Sequence, residues 1–466
     1  MGFFVGPFYF LFPQLWVIAK SMEIKSVDRF ESNVRSYVRA FPTVFSTAEG
    51  AWVTDVEGKR YLDFFAGAGT LNYGHNNPLA RKAILEYVQN CGITHALDMA
   101  TEAKVELIEA FQRIILKPRQ LNYRMQFTGP TGTNAVEAAV KLARKTTQRS
   151  HVVAFTNAYH GHSLGALALT GNRYYHDEHY GSHNNVSHLP YDGYLGSFDT
   201  SYVLEKMLND PSSGLPLPAA VIVELVQGEG GINVASSRWI QNVARICREH
   251  GVWLIVDDIQ VGNGRTGDFF SFEACGVTPE IVCLSKAIGG GLPMSLLLIK
   301  PECDQWKPAE HTGTFRGNNL AFVASRALLN YWQDDAFLSS LKNHARTIQA
   351  ELHGIAAEYA DRNWQVRGRG MVWGLDVGNG DFAGAISKAA FRRGLIIETC
   401  GAHDQVVKLL PPLTISQSDL EMGLRIISES IAEVVRTSDV KASDQAPLIA
   451  PLSNGMVPAA SLFTTI

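Results

Sequence analysis

Asp257 and Lys286 are of types, and at a spacing, that could do chemistry together. Asp257 ends a short apolar run over 252–256, and Lys286 stands just after a second one over 281–284. Both runs are continuous and bounded by turn signals, as strands buried on both faces are. Such strands carry their polar residues at their ends, and in an open α/β sheet the carboxyl ends face the crevice where ligands bind. A lysine held there, once deprotonated, can form a Schiff base, and an aspartate beside it can keep a pyridinium nitrogen protonated. That pairing is what pyridoxal phosphate demands. The protonated ring would withdraw electrons from a substrate carbon as Lys286 removes its proton. Taken singly, each residue has a plainer reading: Asp257 and Asp258 open a solvated turn, and Lys286 lies on the surface.

The surrounding elements must bring those two ends together. From about residue 80 to 325 the pattern alternates helical stretches with short apolar runs at 125–129, 151–155, 219–224, 252–258, 281–286 and 295–300. This implies an α/β domain with a mostly parallel sheet. The stretch 236–250 shows the grammar of its helices, with Ser236 or Ser237 as N-cap, Ile240, Val243, Ala244 and Cys247 on one face, and Gly251 as the stop. Upstream, 26–48 reads as a helix and a connector, 51–67 as a hairpin turning at Glu57-Gly58, and a helix starts at Pro78. Beyond about 330 a long amphipathic helix, two short strand-like stretches at 366–377 and 394–401, and a closing helix over 416–435 make a smaller α+β domain. The expected division is an N-terminal segment of the small domain at 22–78, a large domain at 79–330, the C-terminal small domain at 331–436, and a disordered tail at 437–466 rich in Ser, Pro and Ala.

A chain of 466 residues allows two to four domains. The formal charge of −4 gives no electrostatic case for nucleic acid or an anionic membrane. Six cysteines without paired spacing fit a reducing, cytoplasmic setting, and no zinc pattern occurs. Residues 1–21 are an apolar extension without a basic start or a small-residue cleavage site, interrupted by Pro7 and Pro13. Neither a signal peptide nor a membrane anchor is expected from them, and Met22 is the expected start of the folded chain.

Two further stretches bear on the site. The run 125–129 leads through Gly129-Pro130-Thr131-Gly132-Thr133-Asn134 directly into a helical pattern, leaving backbone N–H groups free for a phosphate at Gly132 and Thr133. In Tyr159-His160-Gly161-His162, the ring of Tyr159 can stack on a planar cofactor. His176, His179, His183 and His188 lie in a polar stretch without a carboxylate or cysteine framework, so no metal is expected.

The string Asp257-Asp258-Ile259-Gln260, Gly262-Asn263-Gly264-Arg265-Thr266-Gly267, and then Ser285-Lys286 resembles the fold-type I, class III aminotransferases, whose pattern is Asp-Glu-Val-Gln, Gly-x-Gly-Arg-Thr-Gly and Ser-Lys. The resemblance covers roughly residues 26 to 435. Asp258 stands where most members have Glu, and Asn134 where a Glu is commoner. The resemblance implies that Ile259 covers the face of the cofactor ring opposite Tyr159 and that Gln260 reaches its phenolic oxygen. It implies that Glu224 and Glu229, in 223–231, are carboxylates near the substrate, the second neutralising a cation while an uncharged substrate part is bound. That cation is Lys408 here, where many relatives have Arg; a lysine cannot make a bidentate fork. Thr314, in 311–319, matches a threonine that crosses a dimer interface to the cofactor phosphate of the other subunit, which implies a homodimer.

Within the family, the strings SYVRAFP, FFAGAGTLNYGHNNP, GITHALDMATEAK and VELVQGEGGINV look most like the diaminobutyrate-forming members that serve ectoine or siderophore synthesis. The implied reaction moves the amino group of L-glutamate to L-aspartate 4-semialdehyde, with Arg39 a candidate ligand for a substrate carboxylate. Three alternatives stay open: an aminotransferase for ornithine or 4-aminobutyrate, an aminomutase or racemase on the same scaffold, and a non-enzymatic pyridoxal phosphate-binding regulator. The absence of a basic stripe argues against the last.

Overall fold

In the computed structural model, which describes residues 24–180 and 185–445, the two apolar runs are adjacent parallel strands. Trp253–Asp257 pairs with Ile281–Leu284, with Asp257 opposite Cys283. They lie inside a seven-stranded sheet in the order Arg124–Phe127, Leu296–Ile299, Ile281–Leu284, Trp253–Asp257, Ala220–Val223, Val152–Phe155, Val186–Leu189. Leu296–Ile299 is antiparallel to both neighbours, and the other pairings are parallel.

The continuous apolar runs follow from two buried faces. Ile222, Ile255, Cys283 and Leu297 pack on one side against Ala135, Ala139 and Leu142 of the helix Gly132–Thr147. Val221, Val223, Leu254, Val256, Val282 and Leu284 pack on the other, against Trp239, Ile240 and Val243 of the helix Ser237–Glu249. That helix is capped by Ser236, whose side chain accepts from Trp239 N, and Gly251 follows it at φ +60°.

Val186–Leu189 was not anticipated. It is an edge strand holding Ser187 and His188 and only partly buried, so it carries none of the apolar continuity of the inner strands.

The smaller domain is built on an antiparallel sheet in the order Gln365–Arg369, Val372–Asp376, Val406–Leu409, Glu398–Cys400. The helices Asp335–Glu358, Gly380–Arg392 and Gln417–Gln445 accompany it. Leu62 and Phe64 of the N-terminal hairpin share its core with Leu341, Leu375, Ile427 and Ile431. The hairpin strands Trp52–Asp55 and Arg60–Asp63 pair as expected, and Leu395–Ile396 joins them in parallel, Leu395 opposite Leu62.

Two expectations need correction. The stretch 26–48, expected as a helix and a connector, leads into a strand, Phe45–Glu49, antiparallel to Trp52–Asp55; its exposed burial pattern hides the usual alternation. The closing helix runs on to Gln445, past 437, where a disordered tail was expected. No Gly or Pro interrupts 437–445, and Pro447 is the first helix breaker in that stretch. The expectations for 1–21 lie outside the described residues, as does the rest of the tail.

Arg265 ties the parts together. Wholly buried, it donates through Nη1 to Met371 O at 3.0 Å and Pro411 O at 2.6 Å, and through Nη2 to Asn72 Oδ1 at 2.6 Å. One guanidinium from the Gly-rich loop thus holds the small domain and the N-terminal segment, and burial lowers its pKa to about 9. Arg265→Ala would leave three buried acceptors without donors, at about 1–3 kcal/mol each. A loss of several degrees in melting temperature is expected, and Arg265→Lys should not restore it, since an ammonium cannot reproduce the fork. An unchanged melting curve for Arg265→Ala would refute this account.

Candidate active site

The strand ends open into a cavity of about 320 Å³. Gly132, Thr133, Tyr159, Glu224, Glu229, Asp257, Ile259, Gln260 and Lys286 all line it, so nine of the residues expected in the site converge. Lys286 begins the short turn Lys286–Gly289 in a left-handed conformation, φ +52°, which a side chain with a Cβ adopts only under constraint. Ser285 just before it is anchored by its hydroxyl, which donates to Met294 O at 3.0 Å. Burial pulls the Lys286 amine below the ordinary lysine pKa, although Glu229 opposes the shift. A neutral amine is the form that can attack a carbonyl or take a proton.

Asp257 has a partner that sequence reasoning passed over. His160 Nδ1 lies 2.7 Å from Asp257 Oδ2, and both residues are buried. Asp257 Oδ1 accepts the N–H of Ile259 at 3.2 Å. Burial alone would lower the His160 pKa, but the hydrogen bond to Asp257 and its charge raise it overall. His160 stood within the Tyr-His-Gly-His string, but only the fold shows that the ring turns toward Asp257 while Tyr159 faces the cavity.

The helix Gly132–Thr147 starts at the cavity wall, so the N–H groups of its first turn are available there. Asn134 accepts from both Thr131 N, at 3.2 Å, and Thr131 Oγ1, at 2.9 Å, which fixes the turn with an amide where a glutamate is commoner. Thr133 Oγ1 is 2.6 Å from Ser163 Oγ, which in turn donates to Glu137 Oε1 at 2.6 Å. Two glycines keep this corner open. A Cβ on Gly161, at φ +123°, would sit 2.6 Å from Thr133 Oγ1, and one on Gly132 would sit 3.0 Å from the Ile259 side chain.

The remaining charges form a chain. Lys408, wholly buried, donates to Glu229 Oε1 at 2.7 Å, and its Nζ is also 2.8 Å from Glu398 Oε1, an ionic contact outside hydrogen-bond alignment. Burial would raise the Glu229 carboxyl, but Lys408 and then Lys286 bring it down to about 2. Burial pushes Glu398 up to about 7 despite Lys408. Glu224 accepts the Tyr159 N–H at 2.9 Å and is pushed up to about 8, first by burial, with Asp257 adding to the shift and His160 opposing it. Gln260 Nε2 donates to Ala68 O at 3.0 Å and Glu229 Oε1 at 3.1 Å, which aims its amide along the Glu229 side of the cavity. The Tyr159 phenol is held well above its usual pKa by burial and then by Glu229; Tyr37 is likewise raised by the burial around its hydroxyl, then by Glu398 and Glu229. Glu398 and Tyr37 were not anticipated; the strand pairing of Glu398 opposite Lys408 is invisible without the fold.

Three expected residues are not brought to the cavity wall. Lys408 sits behind Glu229, clamped between carboxylates, so it is not presented to a substrate. Arg39 is exposed and donates to the backbone carbonyls of Asn33 and Arg35 in its own segment. Thr314 is exposed, with its carbonyl 2.8 Å from His95 Nε2. Of the histidine run, His176, His179 and His188 engage Thr170 O, Asp177 and Leu169 O separately, and His183 lies outside the described residues. Among the described residues no group of three His, Cys, Asp or Glu is placed to hold a metal.

Among solved structures, an ornithine aminotransferase from Toxoplasma gondii superposes with a TM-score of 0.77 at 24% identity, covering 89% of this chain and 95% of that one. An S-selective transaminase from Bacillus megaterium gives 0.78 at 22% identity, covering 88% and 97%. These likenesses establish the fold. Among curated proteins, the chain is 51% identical over 415 residues to a diaminobutyrate–2-oxoglutarate transaminase of Wolinella succinogenes, spanning 89% of this chain and 97% of the relative. It is 53% identical over 418 residues to one of Bordetella parapertussis, spanning 89% and 96%. The family model described as aminotransferase class-III matches residues 34–431, and with a lysine, an aspartate and a helix N-terminus converging as that chemistry requires, the chain belongs to the class-III aminotransferases.

Proposed function

We propose that this enzyme transfers the amino group of L-glutamate to L-aspartate 4-semialdehyde, giving L-2,4-diaminobutyrate and 2-oxoglutarate, reversibly and in two half-reactions. The observation that carries the substrate reading is the identity of 51% and 53%, over 89% of this chain, to relatives named for that reaction. The product suits ectoine or siderophore synthesis in the cytoplasm. Among the described residues no helix is long and apolar enough to cross a membrane.

Pyridoxal phosphate is the cofactor of the family, and the residues fit it. The glycine cradle at Gly132 and Gly161 leaves room that a Cβ would fill, and the first turn at Gly132 and Thr133 would hold the phosphate. Tyr159 and Ile259 would flank the ring, with Gln260 near its phenolic oxygen and Asp257 at its nitrogen. When bound, the cofactor supplies an electron sink for the carbon that loses its proton.

The protein's share is proton handling and orientation. Lys286 Nζ, whose pKa burial lowers, is placed to take the proton from the substrate carbon. Asp257, held by His160 at 2.7 Å, is placed to accept a hydrogen bond from a protonated ring nitrogen. Glu229, paired with Lys408, closes the substrate side when the bound group carries no carboxylate there. Thr314, exposed and away from its own cavity, is assigned to the site of a second copy in a homodimer.

The test is glutamate formation by cofactor-loaded protein with 2-oxoglutarate, comparing L-2,4-diaminobutyrate, L-ornithine and 4-aminobutyrate as donors. Diaminobutyrate should be preferred, and Lys286→Ala should lower turnover by at least about a thousandfold. A preference for ornithine or 4-aminobutyrate would overturn the substrate reading. The rate should rise with pH as the Lys286 amine loses its proton, at a pH below that of an ordinary lysine, because burial favours the neutral form. His160→Leu, which removes the partner of Asp257, should weaken cofactor retention about tenfold, read from the visible absorbance left after dialysis; undiminished retention would show that Asp257 needs no support.

A further inference from the structure

Lys408 has one counter-ion more than a buried cation needs. Glu398 and Lys408 are cross-strand partners on adjacent antiparallel strands, so the sheet register itself fixes their approach. Glu229 reaches the same ammonium from a loop, where its carbonyl accepts the Gly401 N–H at 2.9 Å and its carboxylate also accepts from Gln260. Glu229 lines the cavity and Glu398 does not. The charged and titratable groups that act on Glu398 are Lys408, Glu229 and Lys286, and its own charge acts on Tyr37 and Cys400. Of the two carboxylates, one belongs to the scaffold and the other faces the reaction.

We propose that Glu398 is a positioning residue that keeps Lys408 neutralised whether or not Glu229 stays on it, and so sets the balance between a substrate with two carboxylates and one with a single carboxylate. The inference rests on the substrates proposed above. With a lone ammonium, release of Glu229 would expose a bare buried cation, which would pull strongly on any incoming carboxylate. When Glu229 turns away, the like charge that helps to keep Glu398 protonated leaves with it, so Glu398 ionises beside Lys408, Lys408 pulls weakly and Glu229 turns at little cost. The dicarboxylates glutamate and 2-oxoglutarate then bind no tighter than they need to, and diaminobutyrate, with its second amine, is not disfavoured.

Glu398→Gln keeps the side-chain shape and removes the charge. Its KM for 2-oxoglutarate should fall roughly tenfold, as expected for deleting one like charge at partly buried separation, while that for diaminobutyrate rises. Glu398→Asp, which retains the carboxylate but draws it one methylene back from Lys408, should shift the same KM values in the same direction by roughly two- to three-fold and serves if Glu398→Gln does not fold. Calorimetric titration of the cofactor-loaded proteins with glutarate supplies a measure that needs no turnover, and Glu398→Gln should bind it more tightly. Parallel changes in both KM values, or unchanged glutarate affinity, would overturn the proposal. Inactivity of the wild type with every donor would instead refute the substrate reading, and the glutarate titration would still decide the role of Glu398.

Discussion

A lysine amine that must be neutral, walled by carboxylates that would rather protonate it, is the constraint around which this molecule is arranged. Burial alone drives Lys286 toward the neutral form, and Glu229 drives it back. Lys408 moderates the second effect: it takes up the Glu229 charge at 2.7 Å, so the carboxylate nearest the reaction is already paired. The same economy operates at the other end of the cavity, where His160 engages Asp257 before any ligand does. Asp257 and Glu229 thus each have a partner within the protein, and that keeps so polar a cavity compatible with a buried sheet edge.

The sheet serves that arrangement through its strand ends. Asp257 and Lys286 follow neighbouring parallel strands, so their separation is fixed by backbone hydrogen bonds rather than by side-chain reach. The helix N-terminus at Gly132 follows the edge strand Arg124–Phe127, and Glu224 follows the strand on the other side of Trp253–Asp257. Lys286 then leaves its strand in a left-handed turn, a local cost borne by the packed sheet around it.

Much of this was legible from residue order. Six of the seven strands of the large sheet, a helix cap at Ser236 or Ser237, and Gly132, Thr133, Tyr159, Asp257 and Lys286 could be read from apolar runs, caps and spacing, because each is a local signal, whereas Glu224, Glu229, Ile259 and Gln260 were legible only through the likeness to the class-III family. What escaped was cooperative. Phe45–Glu49 and Val186–Leu189 are edge strands that carry little burial of their own and exist because a neighbour pairs with them. His160 and Glu398 matter through partners 97 and 10 residues away, one found across a cavity and the other across a strand pair. Arg39 and Lys408 show the converse, charged residues whose type fitted a ligand role but whose surroundings satisfy them within the protein.

The parallel pairing of Leu395–Ile396 with Arg60–Asp63 also shapes how the chain comes to be folded. The hairpin made early in synthesis finishes its sheet, and Leu62 and Phe64 find their core, only when residues more than 300 positions later have emerged; Lys59 Nζ donates to Arg392 O across a separation of 333. Until then its apolar face and one strand edge have no native cover. Contacts of such long sequence separation form late and slowly. The growing chain therefore passes through a long interval in which a nearly complete large domain carries an unfinished small one, and that interval is the stage at which chaperone capture or off-pathway association has its opportunity.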